Sequence, residues 1–255
     1  MTRMRNLVLR VVMAAAAFLL AAYSYAGEAI DLQLRWHHQF QFAGYYAAVE
    51  KGFYQDEGLQ VTLHAGGTEH QPASEVLAGR AQYGVGNSEV LFERLKGEPI
   101  VALAAIFQHS ASVLLTRKDS NITSVHGLVG KKAMLMNLTE DADLLAMFLK
   151  EGISLSQVHI VPSSYKLNDL ISGKVDAFNS YRTNEPYFLK QRNVPFNTID
   201  PSDYGVDFYS DILFTSEAEL NSNPERVEAV RRATLKGWHY AMAHPDEISD
   251  LLKSK

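Results

Sequence analysis

Short apolar or alternating runs, each followed by a longer stretch with apolar residues at helical spacing, recur along most of this chain. That is the pattern of repeated β-strand and α-helix units. The first run, Asp31 to Arg35, gives way to a helix from about Ala43 to Lys51, which Gly52 stops. A polar turn ending at Gly58 leads to an alternating strand, Leu59 to His64. Gly66-Gly67-Thr68 follows, and Pro72 opens a helix that Gly79 caps. Ala81 to Val85 reads as a short strand, and Gly86-Asn87-Ser88 leads into a helix over Glu89 to Lys96 with Asn87 or Ser88 as its N-cap. Pro99 to Phe107 is almost uninterrupted in its apolar character, as expected of a strand buried on both faces.

A second extended run, Ser112 to Thr116, comes next with no helix between. It breaks the rhythm and predicts that the chain leaves its first lobe there. The rhythm then restarts: strands at Lys132 to Met136, Val158 to Val161 and Val175 to Phe178 alternate with helices at Glu140 to Lys150, Leu167 to Ile171 and Thr183 to Arg192. Phe208 to Thr215 is another unbroken extended segment and predicts the return crossing. After Ser216 the spacing is helical, with Pro224 and Pro245 at helix starts. The chain reaches Lys255 without a closing turn, and is expected to be part of a longer polypeptide. The predicted fold class is α/β with two lobes: 28–115 in lobe one, 116–206 in lobe two, and 207–255 returning to lobe one.

The first residues follow another logic. Arg3, Arg5 and Arg10 precede a short apolar run, and Ser24-Tyr25-Ala26 supplies small residues at the −3 and −1 positions of a cut after Ala26. This predicts a cleaved secretory signal over 1–26 and a periplasmic mature chain. The rival reading, an uncleaved anchor, needs about 20 apolar residues, and Val11 to Ala22 falls short. With Cys 0 in the composition, a lipid anchor on cysteine is excluded and stability is expected to come from core burial without disulfides. Loss of 1–26 removes three arginines and no acid, taking the formal charge from −5 to −8. Such a balance, with no polybasic run, argues against nucleic acid as a partner.

Chemistry concentrates in Trp36 to Tyr46, WHHQFQFAGYY, at the carboxyl end of the first strand. Open α/β sheets bind ligands at that edge. The bland reading makes Phe40 and Phe42 core and the rest a cap on the sheet; both can hold if Trp36, Gln39 and Tyr45 face a cleft. Gly66 and Gly67 let a backbone approach a ligand, or simply make a tight turn. No nucleophile elbow, Walker loop, dinucleotide fingerprint or zinc-protease motif occurs. His37 and His38 are adjacent on an extended chain and point to opposite sides, which argues against a shared metal ion. No cofactor and no metal are expected.

Several stretches then carry a family likeness. LRWHHQFQFAGYYAAVEKGFYQDEGLQV, the GG turn, GRAQYGVGNSEVL, ALAAIFQHSASVLLT, LVGKKAML, SGKVDAFNSYRTNEPYFL and YGVDFYSDILFT together resemble the periplasmic substrate-binding proteins of the thiamine-pyrimidine-precursor type. The resemblance spans nearly everything after the signal segment. It implies a Venus-flytrap type II fold with Ser112 to Thr116 and Phe208 to Thr215 as hinge strands, and a small-molecule ligand held in an interlobe cleft. It also implies a partner: an ABC transporter permease or, alternatively, a fused membrane signalling module of a histidine kinase or diguanylate cyclase. The same family includes enzymes that build the pyrimidine from their own histidine and a lysine-bound pyridoxal phosphate. This chain has Val85-Gly86-Asn87 where those carry the lysine, and Val206-Asp207-Phe208-Tyr209 where they carry a cysteine cluster, so the activity is not carried over.

The strand-end rule gathers the candidate ligand groups: Trp36, Gln39, Tyr45, Gly66, Gly67, Asn87, Ser88, Gln108 and Ser110 from lobe one, and Asn137, Asn184 and Glu185 from lobe two, with Tyr209 and Asp211 on the return strand. An aromatic face with amides and carboxylates in its plane suits a flat nitrogen heterocycle. Arg182 is the one arginine placed to hold an anion, which keeps amino-acid or other anionic ligands open. For Glu185 the plain alternative is a charge favoured at a helix start. For Asp211 it is a hinge hydrogen bond.

Overall fold

The computed structural model describes residues 27–67, 69–136 and 140–253. The segment expected to be a signal, and Asn137, lie outside them. The chain lays down β1 (Glu28–Gln33), β2 (Leu59–His64), β3 (Tyr83–Gly86) and β4 (Ile100–Phe107), then β5 (Ser112–Arg117), β6 (Lys132–Leu135), β7 (His159–Pro162), β8 (Ala177–Tyr181) and β9 (Phe196–Ile199), and last β10 (Ser210–Ser216). They form two five-stranded sheets, ordered β2-β1-β3-β10-β4 and β7-β6-β8-β5-β9. The chain therefore changes sheet between Phe107 and Ser112 and returns between Ile199 and Ser210, at the two places where the helical rhythm lapses. Helices fill the intervals: α1 (Ala43–Glu50), α2 (Phe53–Asp56), α3 (Pro72–Leu77), α4 (Glu89–Leu95), α5 (Ala142–Lys150), α6 (Asn168–Ile171), α7 (Glu185–Gln191), α8 (Glu217–Ser222), α9 (Pro224–Ala243) and α10 (Pro245–Leu252).

By packing, the chain divides into two compact units. One holds the described residues up to Gly84 together with those from Thr215 onward, and the other runs from Val85 to Phe214. The division falls inside β3 and β10, and it assigns α4 and β4 to the second unit.

In the first unit, β1 and β2 run parallel with Ile30 opposite Val61 and Leu32 opposite Leu63. Helix α1 is built from small and aromatic residues because Ala43 to Ala48 are all buried. It packs on α9, where Gly44 meets Trp238 and Gly237 meets the backbone of α1. Two glycines at one crossing let helix backbones approach closely, since neither has a Cβ to hold them apart. Ala43, Ala47, Ala241 and Ile248 fill the layer between α1, α9 and α10.

In the second unit the sheet separates two apolar layers. Along β5, Leu114 belongs to one layer and Val113 and Leu115 to the other; along β6, Ala133 and Leu135 face one side and Met134 the opposite. Side chains alternate along a strand, so apolar residues at consecutive positions mean that both faces are covered. Helix α5 covers the first face with Leu144, Met147 and Phe148, while Leu170 of α6 and Leu189 of α7 cover the second.

Two expectations need correction. The apolar run ending at Phe107 was expected to be buried on both faces, yet of β4 only Ile100 is buried and most of the others are half-exposed. The strand stands at the end of its sheet order, so it has one strand neighbour there and less cover than a central strand. Strand β9 had no counterpart in the sequence reading: Phe-Asn-Thr-Ile is too short to show a period, and its pairing with β5 from Leu114–Ile199 to Arg117–Phe196 is what makes it a strand.

Candidate functional site

The carboxyl ends of β1 and β2 are tied together by one buried side chain that the sequence reading missed. Gln33 Nε2 donates to the carbonyl oxygens of Leu34 at 3.0 Å, His64 at 3.3 Å and Ala65 at 2.8 Å. Gly66 N–H then donates to the Trp36 carbonyl at 2.9 Å. A Cβ on Gly66 would stand 2.2 Å from the Leu34 carbonyl oxygen, so the glycine is required by this close backbone approach. Gly67, with φ 153°, forms an isolated bridge with His70.

On this edge Trp36 is half-buried, its ring edge-on to His37 at 5.2 Å between centroids. Gln39 is also half-buried and donates from Nε2 to Gln41 Oε1 at 2.6 Å. Tyr45 is fully buried, its ring edge-on to Trp238 at 5.9 Å. Its side chain is thus part of the α1–α9 packing rather than of the half-open edge where Trp36 lies. His38 meets the Tyr46 hydroxyl, and His64 pairs with Asp31 at 2.6 Å.

In the second unit, the turn between β3 and α4 brings Asn87 and Ser88 to the start of α5. A Cβ on Gly86 would meet Val90 at 2.6 Å and Glu89 Oε1 at 2.8 Å, which is why the turn begins with glycine. Asn87 is 1% exposed; its Nδ2 and the Ser88 Oγ each donate a long bond of 3.4 Å to the Glu140 carbonyl. Asn87 Oδ1 is buried with no hydrogen-bond partner.

Next to Glu140 stands a buried acid pair, Asp141 and Asp143. Asp141 accepts from the Met136 N–H and, at 3.3 Å, from Asn179 Nδ2 on β8. Asp143 accepts from Ser110 Oγ at 2.6 Å and from the Leu144 N–H at 2.8 Å. Burial, and next the nearby Asp143 charge, push the Asp141 carboxyl up to about 7. Asn87, Ser88 and Ser110 are therefore brought together, around acids at the start of α5. The signal was present: two aspartates two residues apart in the first turn of an otherwise apolar helix, just beyond a strand end.

The remaining residues are placed differently. Gln108 is exposed and donates to the Ala105 carbonyl at 2.7 Å. Glu185 accepts from Ser180 Oγ at 2.8 Å, the Tyr181 N–H at 3.0 Å and Asn184 Nδ2 at 2.9 Å, so its carboxylate and the Asn184 amide close the β8–α7 turn. Arg182 is paired with Asp200. Tyr209 is 59% exposed. Asp211 is fully buried and accepts from the Tyr181 hydroxyl at 3.2 Å, while Ser210 Oγ lies 2.8 Å from the same hydroxyl. Asp211 holds φ 47°, a left-handed conformation that side chains other than those of Gly, Asn and Asp rarely take.

Among the described residues, no three His, Asp or Glu side chains gather as a metal set, and no helix is long and apolar enough to cross a membrane.

Two α/β sheets joined by crossings, with polar side chains at strand ends, define the architecture of the periplasmic binding proteins. The aliphatic sulphonate-binding protein SsuA from Escherichia coli has this fold: it aligns over 89% of this chain and 78% of its own with a TM-score of 0.70, at 14% identity. The chain belongs to the NMT1/THI5-like family, whose model matches residues 39–248. Among curated relatives, a formylaminopyrimidine-binding protein of Halalkalibacterium halodurans is 25% identical over 88% of this chain and 70% of its own. The riboflavin-binding protein RibY of Chloroflexus aurantiacus is 26% identical over 87% of this chain and 65% of its own. More distant is a 4-amino-5-hydroxymethyl-2-methylpyrimidine phosphate synthase of Aspergillus parasiticus, 22% identical over 85% of this chain and 67% of its own.

Proposed function

We propose that this protein is an extracytoplasmic receptor that binds a small, flat, nitrogen-containing heterocycle and delivers it to an ABC-transporter permease. The observation that carries the reading is the polar set at the β3–α4 turn and the β6–α5 junction, buried Asn87, Ser88, Asp141 and Asp143, joined by half-buried Ser110 of the β4–β5 connection and Asn179 of β8, in a chain of this family. Such a set has little to offer an anion and much to offer ring nitrogens and amino groups. Two relatives named for aminopyrimidine and flavin ligands support the same ligand chemistry.

The anionic alternative is weakened by Arg182, whose guanidinium is engaged by Asp200. A role without catalysis is supported by the sequence at the two places that distinguish the synthase branch: Val85-Gly86-Asn87 offers no lysine and Val206-Asp207-Phe208-Tyr209 no cysteine. A sensor fused to a membrane signalling module would use the same ligand chemistry, and nothing in the relatives' names favours it.

Mass spectrometry of small molecules released from protein purified out of the periplasm tests the reading. A nitrogen heterocycle is the expected result; a sulfonate or an amino acid would replace it with the anionic reading.

A further inference from the structure

Strand β5 ends at Arg117, on the edge of its sheet opposite the one where Ser112 lies beside Tyr181 of β8. At an ordinary strand rise the two ends of β5 are about 16 Å apart. The Arg117 end borders a groove of about 450 Å³, formed by the turn after β5, the end of α6 and the loop from α7 to β9. Small-molecule sites span ~300–1,000 Å³. Backbone bonds fix its walls: the Lys118 N–H donates to the Pro195 carbonyl at 3.0 Å and the Val194 N–H to the Leu189 carbonyl at 2.9 Å. Arg117 is fixed as well. Its Nε donates to Asp119 Oδ1 at 2.9 Å, and its Nη1 lies 3.5 Å from the Ile171 carbonyl oxygen. A Cβ on Gly173 would stand 2.6 Å from that Nη1, so the guanidinium lies where glycine leaves it room. Among the described residues, three donors that line the groove make no hydrogen bond: Arg117 Nη2, the Lys118 ammonium and the Asn193 side-chain amide. Ile171, Val194 and Pro195 give it an apolar side. Arg117 and Lys118 outnumber the single acid, Asp119, and leave the lining positive.

We infer that this groove is a second binding site, for a small organic monocarboxylate with an apolar body. The Arg117 guanidinium is already oriented by Asp119 and the Ile171 carbonyl, so its free Nη2 edge meets a carboxylate at little cost in side-chain freedom. Lys118 adds a second charged donor and Asn193 a neutral one. The hydrocarbon part lies against Ile171, Val194 and Pro195, a surface that an inorganic anion would leave wet. Asp119 opposes the ligand, since it occupies Arg117 Nε and its own charge repels a carboxylate. The inference goes beyond the receptor reading and does not depend on it. None of these residues belongs to the Asn87–Asp141 junction, and the ligand has the opposite chemistry, an acceptor where the heterocycle is a donor.

The test is an ¹⁵N–¹H NMR titration of the purified full chain with hexanoate and benzoate, with acetate and hexanol as controls. The expected result is saturable shifts of the Lys118, Gly173, Asn193 and Val194 amides with both larger carboxylates, about tenfold weaker binding of acetate, and none of hexanol. Arg117→Gln should weaken hexanoate about tenfold and Lys118→Gln about threefold, while Asp119→Asn should tighten it about threefold. Should Arg117→Gln not fold, the opposed signs of the Lys118 and Asp119 variants decide. The inference is overturned if these amides show no saturable shift, if acetate binds as well as hexanoate, or if the variants share the wild-type Kd. Shifts confined to the Asn87–Asp141 junction would also overturn it, by putting the carboxylate elsewhere. The receptor reading is judged separately by the copurified ligand, so either can fail without the other.

Discussion

Gly237 on α9 stands against Gly44 on α1: a Cβ at position 237 would lie 2.2 Å from the Gly44 carbonyl oxygen and 2.7 Å from Ala48 Cβ. Backbone and a neighbouring methyl cannot yield as a flexible side chain would. Gly237→Ala is expected to destabilise the protein by about 1–3 kcal/mol through overpacking, although alanine is the better helix former. Thermal unfolding would show a lowered Tm. An unchanged or higher Tm would mean that the two helices part readily.

Tyr54 and Thr234 share a buried hydrogen bond of 2.7 Å between their hydroxyls. Tyr54→Phe leaves the Thr234 hydroxyl without that partner and is expected to cost about 1–3 kcal/mol in denaturant unfolding. Tyr54→Phe combined with Thr234→Val, which removes both polar groups, should recover part of the loss. Additive losses in the double variant would argue against the bond.

Arg226 is forked onto Glu219, and both are largely buried. Tyr83 also donates to Glu219, at 2.9 Å. Replacement by Met leaves the Glu219 charge in place without its counter-ion, so Arg226→Met should destabilise by about 3–5 kcal/mol. Glu219, though burial opposes its ionisation most, is held below the usual carboxylate range by Arg226 and Tyr83. A folded-state pKa below the unfolded one gives stability present at neutral pH and lost as pH falls through the folded value. The variant should lack that acid-side loss, readable in unfolding at pH 3 against pH 6.

Asp141 has the opposite sign. Its folded pKa of about 7 stands above the ordinary value of 3.8, so its contribution to stability is greatest below the unfolded pKa and is lost as pH rises towards and through 7. The full shift corresponds to about 4 kcal/mol as an upper figure. Asp141→Asn is expected to be more stable than wild type at pH 8, with a smaller difference near pH 4. Equal stability at both pH values would show that the carboxyl is not strained by its surroundings.

Much of this architecture could be read from periodicity. Consecutive apolar positions at Val113-Leu114-Leu115 and Ala133-Met134-Leu135 mark strands covered on both faces, and the structure puts alternate residues into separate layers. The lapses in helical rhythm near Ser112 and Phe208 coincide with the changes of sheet. Periodicity was less useful at β4, where an apolar run does not say how much cover the strand receives. The site was harder to read because exposure and pairing are three-dimensional. Glu185 and Arg182 look like ligand groups in the sequence, but Ser180, Tyr181 and Asn184 engage one and Asp200 the other. Gln33 and Asp141 look like an ordinary strand residue and a helix-start charge. Only the fold shows that Gln33 ties two strand ends and that Asp141 is buried beside a second acid.

Buried Asn87, with its Oδ1 unpartnered, is the residue on which the proposed heterocycle site turns. The most direct measurement is the Kd of 4-amino-5-hydroxymethyl-2-methylpyrimidine, by titration calorimetry on ligand-stripped protein, for wild type and Asn87→Ala. Saturable 1:1 binding by wild type is expected, weakened about tenfold in the variant, as one hydrogen bond of about 1.4 kcal/mol would give. Tight binding of an alkanesulfonate with none of the pyrimidine, or the same pyrimidine affinity in both proteins, would contradict it.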